Sequence, residues 1–174
     1  MRLITTLLVC LLSISASGKK PINNKQKDSI TVYIFLLESC RISQFYTLKL
    51  KELHKEFGSN NLVFKGVFPN PDTKIITLES FRKKYDLSFD MVIDHNQVIT
   101  KKLGATVTPE AIVYNEDEEE ILYKGRIDDS YFRVGKRKQV SITNELKNVL
   151  AAVCSGEQVE VEWQAAIGCI IQVK

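Results

Sequence analysis

From residue 29 onward, apolar and polar positions follow two rhythms in turn. "SITVYIFLLES" is nearly continuously apolar and rich in β-branched and aromatic residues, as expected of a strand buried on both faces. After Cys40 the period changes. Ile42, Phe45, Tyr46, Leu48, Leu50, Leu53 and Phe57 approximate helical spacing, and "GSNN" closes the segment with Gly58 near its end. "LVFKGVFPN" reads as a second strand, stopped by the turn signal "PNPD". "ITLESFRKKYDL" reads as a helix with Thr73 or Thr77 as candidate caps, "FDMVIDHN" as a short strand and turn, and "VITKKLGA" as a short helix ended by Gly104. "TPEAIVYNEDEEEILYKGRID" reads as two strands around an acidic turn, and "SYFRVGKRKQVS" as a basic, aromatic loop. "TNELKNVLAAVCSG" predicts a helix with Thr143 as candidate N-cap, an apolar face of Leu146, Val149, Leu150 and Val153, and Gly156 past its end. The tail "EQVEVEWQAAIGCIIQVK" begins in strict alternation and then turns apolar. Strands and helices that alternate at the start, followed by a closing hairpin, predict an α/β fold with a central mixed β-sheet flanked by helices.

The first 29 residues stand apart. Arg2, the apolar run Leu3–Leu12 and the small residues of "SISASG" predict a signal peptide over residues 1–18, cut before Lys19. The polar stretch 19–29 predicts a linker, and residues 30–174 one domain with a C-terminal tail. The apolar run is too short to span a membrane comfortably, so no transmembrane segment is expected after cleavage. Cys10 invites a lipoprotein reading, but Val9 is bulky where a lipobox wants a small residue, and Cys10 lies inside the run instead of at its end. The expected location is therefore periplasmic or extracellular. A net charge of +3, from 24 basic and 21 acidic residues, gives nucleic-acid binding no special support. Leader removal would leave three cysteines, Cys40, Cys154 and Cys169, in a compartment where disulfides persist. The odd number requires one free thiol or a pairing between chains.

Cys40 carries the strongest chemical signal, because it sits where the first strand yields to a helix. Unpaired N–H groups and the positive end of the helix dipole stabilise a thiolate there, and a thiolate is the nucleophile of disulfide exchange and peroxide reduction. Arg41 adds a positive charge, while Glu38 pulls the thiol pKa the other way. The competing reading is a buried structural cysteine at a strand end, and spacing alone does not choose between them. Thr108-Pro109 stands directly before an apolar strand, where proline suits the first residue of a strand in a tight turn, with a cis bond as one option. Cys154 reads as core. His54 and His95 have no metal-ligand spacing with Cys40, position 44 is Gln where a copper chaperone would want a second cysteine, and no metal site is expected. The acidic run at residues 115–120 and the basic "RVGKRKQ" read as solvated turns. Trp163 is expected to anchor the tail.

Three stretches together carry a resemblance: "YIFLLESCRISQFYTLKLKELHKEFGSNNLVFKGVF", "LGATVTPEAIVY" and "ILYKGRIDDSYFRVGKRKQV". Over roughly residues 29 to 172 the chain resembles thioredoxin-like redoxin-domain proteins of the alkyl hydroperoxide reductase/thiol-specific antioxidant superfamily. The resemblance implies a thioredoxin-like fold. Cys40 matches the nucleophilic cysteine, Thr108-Pro109-Glu110 the cis-proline loop, Gly125-Arg126-Ile127-Asp128 the segment after the hairpin, and Gly168-Cys169 the C-terminal motif. Arg41 replaces the usual proline, and Ser43 stands where some members carry a second cysteine. Ser43 cannot resolve a disulfide, but its hydroxyl can support a Cys40 thiolate one turn back. The resemblance makes Cys169 the candidate resolving thiol, paired with Cys40. The peroxidatic pattern Pro-x-x-x-Thr/Ser-x-x-Cys is absent, with Tyr33 and Leu37 in its Pro and Thr places.

The resulting expectation is an exported thiol–disulfide oxidoreductase with weak peroxidase activity besides. Cys40 attacks, Cys169 or an external thiol resolves, and Ser43, Thr108, Pro109, Arg41 and Glu38 support the site. Its partners would be a thiol or disulfide protein substrate, or a peroxide, and an external thiol reductant; no cofactor is required. The alternative is a non-catalytic interaction module on the same fold, lacking the resolving cysteine of a Cys-x-x-Cys pair. Metal delivery is a third reading.

Overall fold

The computed structural model describes residues 29–60, 62–141 and 143–173. The expected signal peptide, residues 1–18, and nearly all of the expected linker lie outside the described residues. β1 (Ile30–Phe35) leads through a turn into α1 (Arg41–Phe57). β2 (Leu62–Phe68), α2 (Ile75–Tyr85), β3 (Asp90–Ile93) and α3 (Val98–Leu103) follow. Then come the two-residue β4 (Val107–Thr108), β5 (Glu110–Asn115) and β6 (Glu120–Gly125). A small hairpin, β7 (Tyr131–Arg133) and β8 (Lys136–Arg137), precedes α4 (Glu145–Ser155), and the tail ends in β9 (Cys169–Ile170).

The main sheet has the order β3-β2-β1-β5-β6. β1, β2 and β3 are parallel, β5 is antiparallel to β1 and β6 antiparallel to β5, so the sheet is mixed. β1 is central and wholly buried, which explains its continuous apolar run. Val32, Ile34 and Leu36 face a core built with Leu50 and Leu53 of α1, Leu78 and Phe81 of α2, and Leu146 and Leu150 of α4. Tyr33 and Phe35 face a second core with Leu103, Ile112, Tyr114 and, from the tail, Ile171. Helices therefore cover both faces of the sheet, and the fold is thioredoxin-like.

Several local expectations are corrected. Lys74 occupies the N-cap of α2 with no side-chain cap, because the Thr73 hydroxyl donates instead to the Glu38 carboxylate at 3.2 Å. Asn144, not Thr143, is the N-cap residue of α4; Thr143 Oγ1 donates to Glu145 Oε1 at 2.7 Å. Gly58 ends α1 in a right-handed conformation. The basic loop is the β7–β8 hairpin, packed on α1 through an edge-to-face contact of Tyr131 with Phe45, 5.3 Å between centroids. The alternating "EQVEVEW" forms no strand, although Val159 and Val161 pack against the main core. Trp163 is 50% exposed, and Ile171 is the buried residue of the tail.

Candidate functional site

The site lies at the end of β1. Leu36 N–H still reaches the Val67 carbonyl at 2.8 Å, after which a turn closes from Cys40 N–H to Leu37 O at 3.0 Å. Cys40 is the N-cap residue of α1; its backbone is extended and its carbonyl accepts the first helical bond from Gln44 N–H at 3.0 Å. The sulfur therefore lies at the mouth of a 17-residue helix whose first N–H groups have no helical partner. The thiol is buried, with the residue 2% exposed.

The cis Thr108–Pro109 bond turns the chain between β4 and β5, and this brings the Thr108 carbonyl to 3.4 Å from Cys40 Sγ. Glu110, at the head of an otherwise apolar strand, holds the loop. Its buried Oε2 accepts the Thr106 N–H at 2.8 Å. Burial raises its pKa, and the Thr106 N–H, Lys124 and the Val107 N–H oppose that shift. In the sequence Glu110 stands out only as part of Thr-Pro-Glu and as a lone carboxylate opening an apolar run, the one signal of this role.

The tail arrives from the other side. β9 pairs antiparallel with β4, Cys169 opposite Thr108 and Ile170 opposite Val107. Gly168 makes this possible: a Cβ there would stand 2.1 Å from the Thr108 carbonyl oxygen and 3.1 Å from Pro109 N. Gln164 O accepts the Arg126 N–H at 3.0 Å, and Ile171 N–H donates to Thr106 O at 2.9 Å. The result places Cys169 Sγ 2.7 Å from Cys40 Sγ, both cysteines being free thiols.

This contact polarises the pair. Burial pushes the Cys40 thiol up, but hydrogen bonds from Cys169 Sγ, from the backbone of Ser43 and Ile42, and from the Ser43 side chain outweigh it, and the net shift is downward. Burial and the negative charge developing on Cys40 push Cys169 up to about 11. The two shifts run in opposite directions, so negative charge on the pair is favoured on Cys40 over Cys169.

The structure places the other named residues as follows. Ser43 is fully buried, and its hydroxyl also accepts the Leu37 N–H at 3.2 Å. Arg41 is exposed on the first turn and is not among the chief groups that lower the Cys40 pKa. Glu38 turns its carboxylate to Thr73 and its carbonyl to Gln44 Nε2, at 2.8 Å. Cys154 is half-buried on α4, beside a separate cavity of about 800 Å³ that Trp163 also lines. His54 sits against Phe64 and Phe89, with Nδ1 3.0 Å from Ser88 Oγ, and His95 Nδ1 lies 3.0 Å from the Pro71 carbonyl. Among the described residues no three His, Cys, Asp or Glu side chains are grouped to hold a metal ion. Among them also, no helix is long and apolar enough to cross a membrane.

The fold and this strand-end cysteine define a thioredoxin-like protein of the redoxin class. The chain belongs to the AhpC/TSA family, whose model matches residues 13–134. No curated protein shows significant sequence similarity to it. A Sinorhizobium meliloti protein superposes with a TM-score of 0.72 at 22% identity, over 85% of this chain and 81% of that one. The thioredoxin domain of a thiol-disulfide oxidoreductase from Bacteroides vulgatus gives 0.52 at 15% identity, over 72% and 79% of the two chains. A secreted Mycobacterium tuberculosis disulfide oxidoreductase, homologous to E. coli DsbE, gives 0.52 at 18% identity, over 71% and 81%. At these identities the likeness is one of fold.

Proposed function

We propose that the chain is an exported thiol–disulfide oxidoreductase in which Cys40 is the nucleophile and Cys169 the resolving thiol. One observation carries the reading: a strand paired to the cis-proline loop delivers Cys169 Sγ to within 2.7 Å of Cys40 Sγ. In the first step the Cys40 thiolate attacks one sulfur of a substrate disulfide. A Cys40–substrate disulfide forms, and the other substrate sulfur leaves as a thiolate and takes a proton. Cys169, after losing its proton, then attacks Cys40 Sγ. The Cys40–Cys169 disulfide forms, the substrate departs as a dithiol, and an external thiol reductant restores the starting state. Ser43 and the helix N-terminus stabilise the thiolate, and Pro109 and Thr108 shape the groove. Weak peroxidase activity would use the same pair, through a Cys40 sulfenic acid that condenses with Cys169 and releases water. Export rests on the leader-like residues 1–18 and accords with the secreted relative of the same fold.

The test is a non-reducing peptide map of protein taken from the exported fraction with thiols blocked at lysis. A Cys40–Cys169 link is expected under mild oxidation, together with insulin-disulfide reduction that disappears in Cys40→Ser. Two free thiols after oxidation, with slow alkylation of Cys40 below pH 7, would instead indicate a non-catalytic interaction module.

A further inference from the structure

The segment that brings Cys169 to the site has the geometry of a docked peptide. It is extended, it pairs antiparallel with Val107–Thr108, and it places a cysteine opposite Thr108 and against Cys40. A backbone ladder reads no side chains beyond the pockets beside it. Gly168 only needs to lack a Cβ, and the Ile170 side chain is 81% exposed. A cavity of about 350 Å³ lies alongside, bounded by Leu37, Pro69, Pro71 and Thr108 and by Ile170 and Ile171 of the tail itself.

We propose that β9 is an exchangeable plug: an extended, cysteine-bearing segment of a partner protein takes its place on Val107–Thr108, and the tail's return ejects that partner. This rests on the oxidoreductase reading and names its substrate class. The partner's disulfide sulfur would occupy the position held by Cys169, and the residue after it would reach the adjacent cavity. Tail and partner cannot pair with Val107–Thr108 together, so the mixed disulfide forms with the tail lifted. When the tail re-pairs, Cys169 attacks Cys40 Sγ, the Cys40–partner bond breaks, and the partner leaves as a thiol. Resolution and release are then one movement.

The test uses the full chain with Cys169→Ser, which isolates the first step, with and without Gly168→Val, whose side chain cannot fit against Thr108. The probe is an extended decapeptide carrying one cysteine as its mixed disulfide with thionitrobenzoate. A second peptide is N-methylated at that cysteine, the position whose amide faces Thr108 in the tail. Lifting the tail should accelerate reaction of the plain peptide about ten-fold more than that of the methylated one, because only the former can form the ladder. In the Cys169→Ser protein with the plain peptide trapped on Cys40, the amide of position 169 should lose hydrogen-exchange protection while that of Ile171, bonded to Thr106, keeps it. Equal acceleration of both peptides, or unchanged protection in the trapped adduct, overturns the proposal while leaving the oxidoreductase reading in place. A Cys40 inert even to the small dimeric disulfide of thionitrobenzoate overturns both.

Discussion

The two sulfurs of Cys40 and Cys169 are equivalent in sequence chemistry and unequal in place. One lies at a helix mouth and takes donors; the other faces a developing anion. This asymmetry fixes the sign of a pH effect on the reduced protein. Cys40 titrates below its unfolded value of about 8.5, so between its folded pKa and that value the unfolded chain binds more protons and stability rises with pH. Cys169, at about 11, acts oppositely. Between about 8.5 and its folded pKa the native state holds the extra proton, and stability falls as pH rises. Urea midpoints against pH should therefore show a falling limb above about pH 8.5 that is absent from Cys169→Ala. Ser43→Ala removes a donor from the thiolate and leaves the buried Leu37 N–H unpaired. Iodoacetamide titration should give a higher Cys40 pKa, with a stability loss of about 1–2 kcal/mol.

At the scale of elements, the Gly-Arg-Ile-Asp segment after β6 works as a junction. Arg126 ion-pairs with the buried Glu145 at the start of α4, Ile127 enters the main core, and Asp128 Oδ1 accepts the Tyr46 hydroxyl at 2.7 Å. Arg126→Met should leave the Glu145 carboxylate buried without its cation, at a cost of about 3 kcal/mol, read as a lowered urea midpoint with an unchanged slope. Legibility in the sequence also divides at this scale. β1 and α1 could be read because their patterns are set by burial on two faces or on one. The caps of α2 and α4 could not, because Thr73 is claimed by Glu38, 35 residues away, and Thr143 by Glu145. A tertiary partner decided the first, and a carboxylate two residues along the chain the second. The tail's alternating stretch forms no strand, and in the tail only Cys169 and Ile170 find a ladder, on β4 outside the main sheet.

Over the whole molecule, Cys40 and Cys169 are 129 positions apart, so joining them closes nearly all of the domain into one loop. The oxidised form should be the more stable by up to about 4 kcal/mol, through restriction of the unfolded chain; denaturation with and without reductant checks this. Cys154 lies apart from the pair, and Cys154→Ser should leave both the peptide map and Cys40 alkylation unchanged. The sequence made Cys40, the Thr108-Pro109 loop and Cys169 visible, and the resemblance offered the two cysteines as a pair. Their meeting depends on β9 pairing with β4, and the residue that permits it, Gly168, matters for the atom it lacks.

Ile171 is buried in the second core and hydrogen-bonded to Thr106, only two positions past Cys169. That anchor acts as a short leash. While Ile171 stays seated, a lifted Cys169 remains within a few ångströms of Cys40, at an effective concentration in the millimolar range or above. A free thiol in the surroundings would have to match that concentration to intercept the mixed disulfide. On the mechanism proposed here, the protein therefore carries its own first reductant, and turnover answers to the outside thiol pool only after the partner has gone.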